Sequence, residues 1–142
     1  MTKLNIVLDT NVLLVSISSN SKYHWIFQAL LSGEYNLFIT NEILTEYEEV
    51  IAKKWNYQTS KYLIRTLIEL NNVYKTEIYY RLNLIKNDPD DNKFVDCAFA
   101  SNADFIVSHD HDFDVLENIE FPDINVIKVD DFNKVLYPEN LH

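Results

Sequence analysis

Four carboxylates fall where separate segments of a folded chain could bring them together. Asp9 directly follows the apolar run Leu4-Asn5-Ile6-Val7-Leu8, Glu46 lies inside a helical pattern, Asp91 opens another, and Asp110 comes just after Phe105-Ile106-Val107-Ser108. Carboxylate oxygens are hard donors, and a group of them drawn from distant segments suits a divalent metal ion.

Helical geometry narrows the choice among neighbouring acids. With residues spaced about 100° apart, Ile43, Leu44, Tyr47, Val50 and Ile51 define one buried face, and Glu46 flanks it about 40° from Val50. Glu42 and Glu49 lie further out, while Glu48 flanks the opposite edge and stays open as an alternative. In the later helix Phe94, Val95, Ala98 and Phe99 form the inward stripe. Asp91 sits over the middle of that stripe, whereas Asp96, about 140° away, is expected to face solvent. Asp88 and Asp90 are expected to shape the turn at Pro89. Each carboxylate at a helix start also has a plainer role, since Asp9, Asp91 and Asp110 could all cap free helix N–H groups. A single cap does not, however, account for two acids and two histidines in His109-Asp110-His111-Asp112.

The elements that must position these groups alternate in an α/β pattern. Strands are expected at 4–8, 37–39, 105–108 and 126–129, and helices at 22–32, 41–55, 59–72 and 91–102, with shorter ones at 11–18, 112–117 and 130–136. The stretch 74–86 fits either a strand or a loose connection. Because parallel crossovers are right-handed, helices should cover both faces of a central, mainly parallel sheet of four or five strands, a three-layer α/β/α arrangement. Ligands of such sheets bind beyond the carboxyl ends of the strands, which is where Asp9, Asp110 and Asp130 fall. For Asp130 helix capping is the expected role.

The chain's 142 residues, 47% of them hydrophobic, suit one domain, 1–142, with its own core. The lone cysteine, Cys97, cannot pair within the chain, the start at Met1 leads into a strand rather than an export segment, and no apolar run approaches the roughly 18 residues of a membrane span. A cytoplasmic protein without membrane insertion is expected. Twenty-two acidic against 12 basic residues give a net charge of −10, the wrong sign for a simple phosphate-backbone binder. Bound cations would offset part of this, and Lys53, Lys54, Lys61, Arg65, Lys75, Arg81 and Lys86 concentrate positive charge in the middle third.

In order and spacing, Val7-Leu8-Asp9-Thr10-Asn11-Val12-Leu13, Ile39-Thr40-Asn41-Glu42-Ile43-Leu44-Thr45-Glu46-Tyr47, Asp88-Pro89-Asp90-Asp91-Asn92-Lys93 and Ala103-Asp104-Phe105-Ile106-Val107-Ser108-His109-Asp110 resemble the PIN domain, a nuclease fold, in its bacterial and archaeal toxin branch. The resemblance spans nearly the whole chain. It implies that Asp9, Glu46, Asp91 and Asp110 are catalytic and hold one or two Mg²⁺ or Mn²⁺ ions, with Asn11, Ser108 and Asp112 as secondary candidates. Ser108 keeps the hydroxyl that relatives often supply with threonine, Asn11 could hydrogen-bond Asp9 or a phosphate, and Asp112 could replace or assist Asp110. The implied activity is metal-dependent endoribonuclease cleavage of RNA phosphodiester bonds. The implied partners are a small antitoxin that blocks the acidic cleft and a second copy in a homodimer, with Tyr23, Trp25, Phe27, Tyr57 and Tyr62 available for interfaces.

Other classes fit less well. A phosphatase of the haloacid-dehalogenase type needs an aspartate where Asn11 stands, and a receiver-type phosphoacceptor needs an acidic pair after its first strand. The strongest alternative is a non-catalytic PIN-like binding or scaffold module, suggested by the net acidity and by Ser108-His109.

Overall fold

The computed structural model describes residues 2–140; Met1, where the chain start was read, and residues 141–142 lie outside the described residues. Strand β1 (Asn5–Leu8) carries Ile6, Val7 and Leu8, all without exposed surface. Such a fully apolar run fits a strand covered on both faces, and β1 is the centre of the sheet. It pairs in parallel with β2 (Asn36–Ile39) on one side and β4 (Phe105–Val107) on the other. β3 (Val73–Lys75) adds beyond β2 and β5 (Val126–Ile127) beyond β4, giving the all-parallel order β3-β2-β1-β4-β5.

The chain leaves β1 through α1 (Thr10–Ile17) and α2 (His24–Leu31) to reach β2, then passes through α3 (Asn41–Lys54) and α4 (Tyr57–Glu69) to β3. It returns across the sheet through α5 (Asn92–Ser101) to β4, and ends through β5 and α6 (Val129–Leu136). Outward and return crossovers run in opposite directions, so right-handed connections place their helices on opposite faces. The topology therefore reverses between β1 and β4, and a crevice opens beyond their carboxyl ends.

Local chemistry sets the helix ends. Thr40 caps α3 by accepting from the Ile43 N–H at 3.1 Å, and Asn56 caps α4 through the Thr59 N–H at 2.7 Å, starting that helix two residues before the expected 59. α4 stops at Glu69, short of 72, because Asn72 is drawn inward to donate to the Leu30 and Tyr35 carbonyls. Asn102, in the left-handed region at φ 54°, ends α5 and turns the chain into β4. A T-shaped contact between Tyr35 and Phe132, 5.2 Å between ring centroids, ties α6 to the core.

Within the stretch left open between strand and loose connection, Val73–Lys75 is an edge strand, and 76–88 is a strap without regular structure. The strap lies over α5, so Asp96 does not face solvent. It is 2% exposed and accepts the Leu82 N–H at 3.0 Å. A helical wheel gives a direction; it cannot tell whether a distant segment covers that direction. The last expected strand is also shorter, ending at Ile127. Among the described residues no helix is long and apolar enough to cross a membrane.

Asn92 clamps the strap: its Oδ1 accepts the Ile85 N–H at 2.9 Å, and its Nδ2 donates to the Ile85 and Pro89 carbonyls at 2.9 and 3.0 Å. Asn92→Ala strands the buried polar groups of Ile85 and is expected to cost about 2–4 kcal/mol. Urea unfolding checks the loss, and hydrogen exchange should show the Leu82 and Ile85 amides opening first.

Candidate metal centre

Asp9 stands at the carboxyl end of β1, where its N–H still donates to the Val107 carbonyl and continues the ladder with β4. Its side chain is 6% exposed and makes no capping bond to α1, so the carboxylate is not consumed by the helix start. Instead Asp9 Oδ2 accepts from Ser108 Oγ at 2.7 Å, and the same hydroxyl oxygen accepts the Asp110 N–H at 2.9 Å. The buried Ser108 therefore fixes Asp9 and Asp110 relative to each other across β1 and β4. Burial raises the pKa of Asp9, the Ser108 bond opposes that, and the charges of Asp110 and Glu46 add to the rise.

Asp91 enters from the start of α5 and is 9% exposed; its Oδ2 is buried without a hydrogen-bond partner. Its pKa is pushed from 3.8 up to about 8, chiefly by burial, then by hydrogen bonding to Asp110 and by the charges of Asp110, Asp88 and Asp9. Asp110 is half-buried and caps the 3₁₀ segment His111–Asn118, accepting the Asp112 N–H at 2.9 Å. Asp88 shapes its turn as expected, accepting the Asp90 N–H at 3.2 Å. Its carboxylate also meets those of Asp91 and Asp112, one oxygen from each lying within 4.8 Å of the others. The sequence reading gave Asp88 to the turn alone, because spacing along the chain does not show that the turn faces Asp112.

Glu46, whose charge reaches Asp9, is held by different partners. It is half-buried, whereas Glu42, Glu48 and Glu49, the other glutamates of α3, are exposed. Tyr47, the next residue, donates its hydroxyl to the Leu8 carbonyl at 2.5 Å and so ties α3 to the end of β1. Both oxygens of Glu46 are engaged, one by the Thr10 hydroxyl and the other by Lys93 Nζ at 2.8 Å. Neither Thr10 nor Lys93 was singled out as a site residue. One signal was present: a lysine in the first turn of a helix opposes the helix dipole, which argues for a nearby anion.

Asn11 is exposed and makes no hydrogen bond to Asp9; it lines an open cleft with Asp9, Tyr23, His109 and Asp110. His111 pairs with Asp114 at the surface at 3.2 Å. Of the basic residues in the middle third, Lys53, Lys54, Lys61, Arg65, Lys75, Arg81 and Lys86 are all exposed.

The donor set suits a hard divalent cation. It consists of oxygens only, it includes a buried oxygen with no hydrogen-bond partner among the described residues, and the charges that act on Asp91 are those of Asp110, Asp88 and Asp9. Fold and site together define an α/β domain with an acidic centre at its topological switch point. A sequence profile of the PIN domain matches residues 5–112, and the chain belongs to the PIN domain family. The sequence matches no curated protein. Its fold is similar to VapBC-1 from nontypeable Haemophilus influenzae, with a TM-score of 0.62 at 17% identity over 89% of this chain and 99% of that one. It is also similar to VapBC2 from Rickettsia felis, solved bound to a DNA fragment from their promoter (0.58, 14%, 88% and 98%), and to the T. brucei RRP44 PIN domain (0.57, 12%, 96% and 83%).

The raised pKa of Asp91 has a definite sign. Between 3.8 and about 8 the folded state retains a proton that the unfolded chain has lost, so stability falls as pH rises through that window. Asp9 and Asp112 are shifted in the same direction. In EDTA the melting temperature is expected to drop by roughly a few degrees between pH 5 and pH 8. Asp91→Asn should flatten that slope and melt above the wild type at pH 8, as thermal denaturation across pH would show.

Proposed function

We propose that this protein is a divalent-metal-dependent endoribonuclease, a single PIN-like domain that hydrolyses RNA phosphodiester bonds as the toxin of a toxin–antitoxin pair. The observation that carries the reading is the partnerless buried oxygen of Asp91, set among the carboxylates of Asp9, Asp88, Asp110 and Asp112. Asp9, Asp91 and Asp110 are assigned to hold Mg²⁺ or Mn²⁺, one or two ions, with Glu46 completing the catalytic set and Ser108 and Asp112 supporting it. When bound, the ion would neutralise developing charge on a phosphate and lower the pKa of water. The chain's own part is to hold the oxygens in place: Ser108 fixes Asp9 against Asp110, and the start of α5 presents Asp91. Asn11, beside Asp9 in the open cleft, is free to meet a phosphate oxygen.

RNA as substrate and the antitoxin as partner come from the branch of the family that the sequence resembles, and the likeness to the VapBC structures supports that branch. An acidic surface of Glu42, Glu46, Glu49 and Asp90 along α3 offers a basic antitoxin side chain a place to bind. For a homodimer, Tyr57 and Tyr62 on α4 remain available at 62% and 71% exposure, whereas Phe27 is buried and Trp25 packs on Phe132. The cytoplasm is the proposed location.

Cleavage of labelled RNAs and single-stranded DNAs tests the reading. Wild type should cut RNA with Mg²⁺ or Mn²⁺ and stop in EDTA, and folded Asp91→Asn should be slower by at least about 100-fold. Folded wild type that binds Mn²⁺ yet cuts no substrate would favour the non-catalytic PIN-like module.

A further inference from the structure

Among the described residues Lys93 is the one lysine or arginine that is buried; the other lysines and both arginines are exposed. A lysine is seldom buried without a full set of partners, and this one has them. Its Nζ lies 2.8 Å from Glu46 Oε1 and 3.0 Å from Asp90 Oδ2, and donates to the Asp90 carbonyl at 2.7 Å. An ammonium has three N–H donors, and all three are used. Glu46, in turn, gives its other oxygen to the Thr10 hydroxyl. The carboxylate that the sequence groups with three aspartates is thus already neutralised and hydrogen-bonded from both sides. The aspartates have no such cation.

We propose that Lys93 is a positioning residue whose buried ammonium takes the place of a metal ion at Glu46, so that the ion of this site is held by the aspartates around Asp91 and not by Glu46. The proposal rests on the metal-dependent reading and divides its four carboxylates into two electrostatic halves. In one half Lys93 draws Glu46 of α3 and Asp90 of the turn toward α5, and Glu46 holds Thr10 directly after Asp9. Through that chain of contacts Glu46 fixes the exit of β1. In the other half Asp91 Oδ2 has no hydrogen-bond partner among the described residues, and the charges acting on Asp91 are those of Asp110, Asp88 and Asp9. A second ion at Glu46 would have to displace a fully coordinated ammonium less than 3 Å away, with the like charges repelling.

Mn²⁺ binding, followed by electron paramagnetic resonance and calorimetry, separates the halves without reference to activity. Asp91→Asn is expected to weaken Mn²⁺ binding more than about tenfold, and Glu46→Gln, whose amide oxygen still accepts from the Thr10 hydroxyl, to change it less than about threefold. The double variant Glu46→Gln/Lys93→Met removes both charges at nearly constant volume, guards against a failure of the single variant to fold, and should bind Mn²⁺ like Glu46→Gln. Lys93→Ala leaves Glu46 and Asp90 facing each other without a cation and should bind one additional Mn²⁺, whereas Lys93→Arg should not. The proposal is overturned if Glu46→Gln and the double variant lose as much affinity as Asp91→Asn, or if folded Lys93→Ala keeps the wild-type stoichiometry; in either case the metal-dependent reading stands. A wild type that binds no Mn²⁺ overturns both.

Discussion

Repulsion among carboxylates gathered at one end of a parallel sheet is the constraint around which this domain is built. β1 and β4 are hydrogen-bonded neighbours, so Asp9 and Asp110 emerge side by side, and the start of α5 adds Asp91 between them and Asp88. Like charges this close and this poorly hydrated do not all ionise freely. Burial first, and the neighbouring charges after it, raise the pKa values of Asp9 and Asp91. The surrounding structure holds the group together regardless: the Ser108 bridge, the Tyr47 anchor on Leu8, the Asn92 clamp and the apolar β1 all fix backbone close to a carboxylate. An arrangement that costs stability and is braced from several sides is what a site awaiting a cation should look like.

Much of this was legible because the relevant signals are local. β1 announces itself as an unbroken apolar run, and Asp9 follows from where that run stops. The wheel of α3 placed Glu46 at the edge of a buried face, and that of α5 turned Asp91 inward; both directions agree with the burial found. The parts that escaped depend on contacts between distant segments. Asp96 is buried because the strap 76–88 lies over it, and no periodicity within α5 encodes that cover. Asp88 reads as a turn residue until the fold sets it against Asp112. Lys93 has no assigned role in the sequence until α3 brings Glu46 to it.

The acidity that first argued against a nucleic-acid enzyme has a spatial explanation. Part of the surplus negative charge lies in the centre itself, where a divalent ion would offset it. Apart from Lys93, the described lysines and arginines lie on the outside, with Arg81 near Glu42 at 3.6 Å and the rest of the middle-third cluster exposed. Net charge therefore describes the centre and the surface together, and it is the distribution that bears on a phosphate-containing substrate.

The central claim is that the carboxylates around Asp91 form a metal centre. Anomalous diffraction from Mn²⁺-soaked crystals near pH 7.5 tests it most directly, because it locates the ion without assuming a substrate. The account predicts an anomalous peak within coordination distance of Asp91 Oδ2 and at least one other aspartate of the group. A well-diffracting crystal with no peak at Asp91, or with its only peak elsewhere on the protein, would contradict it.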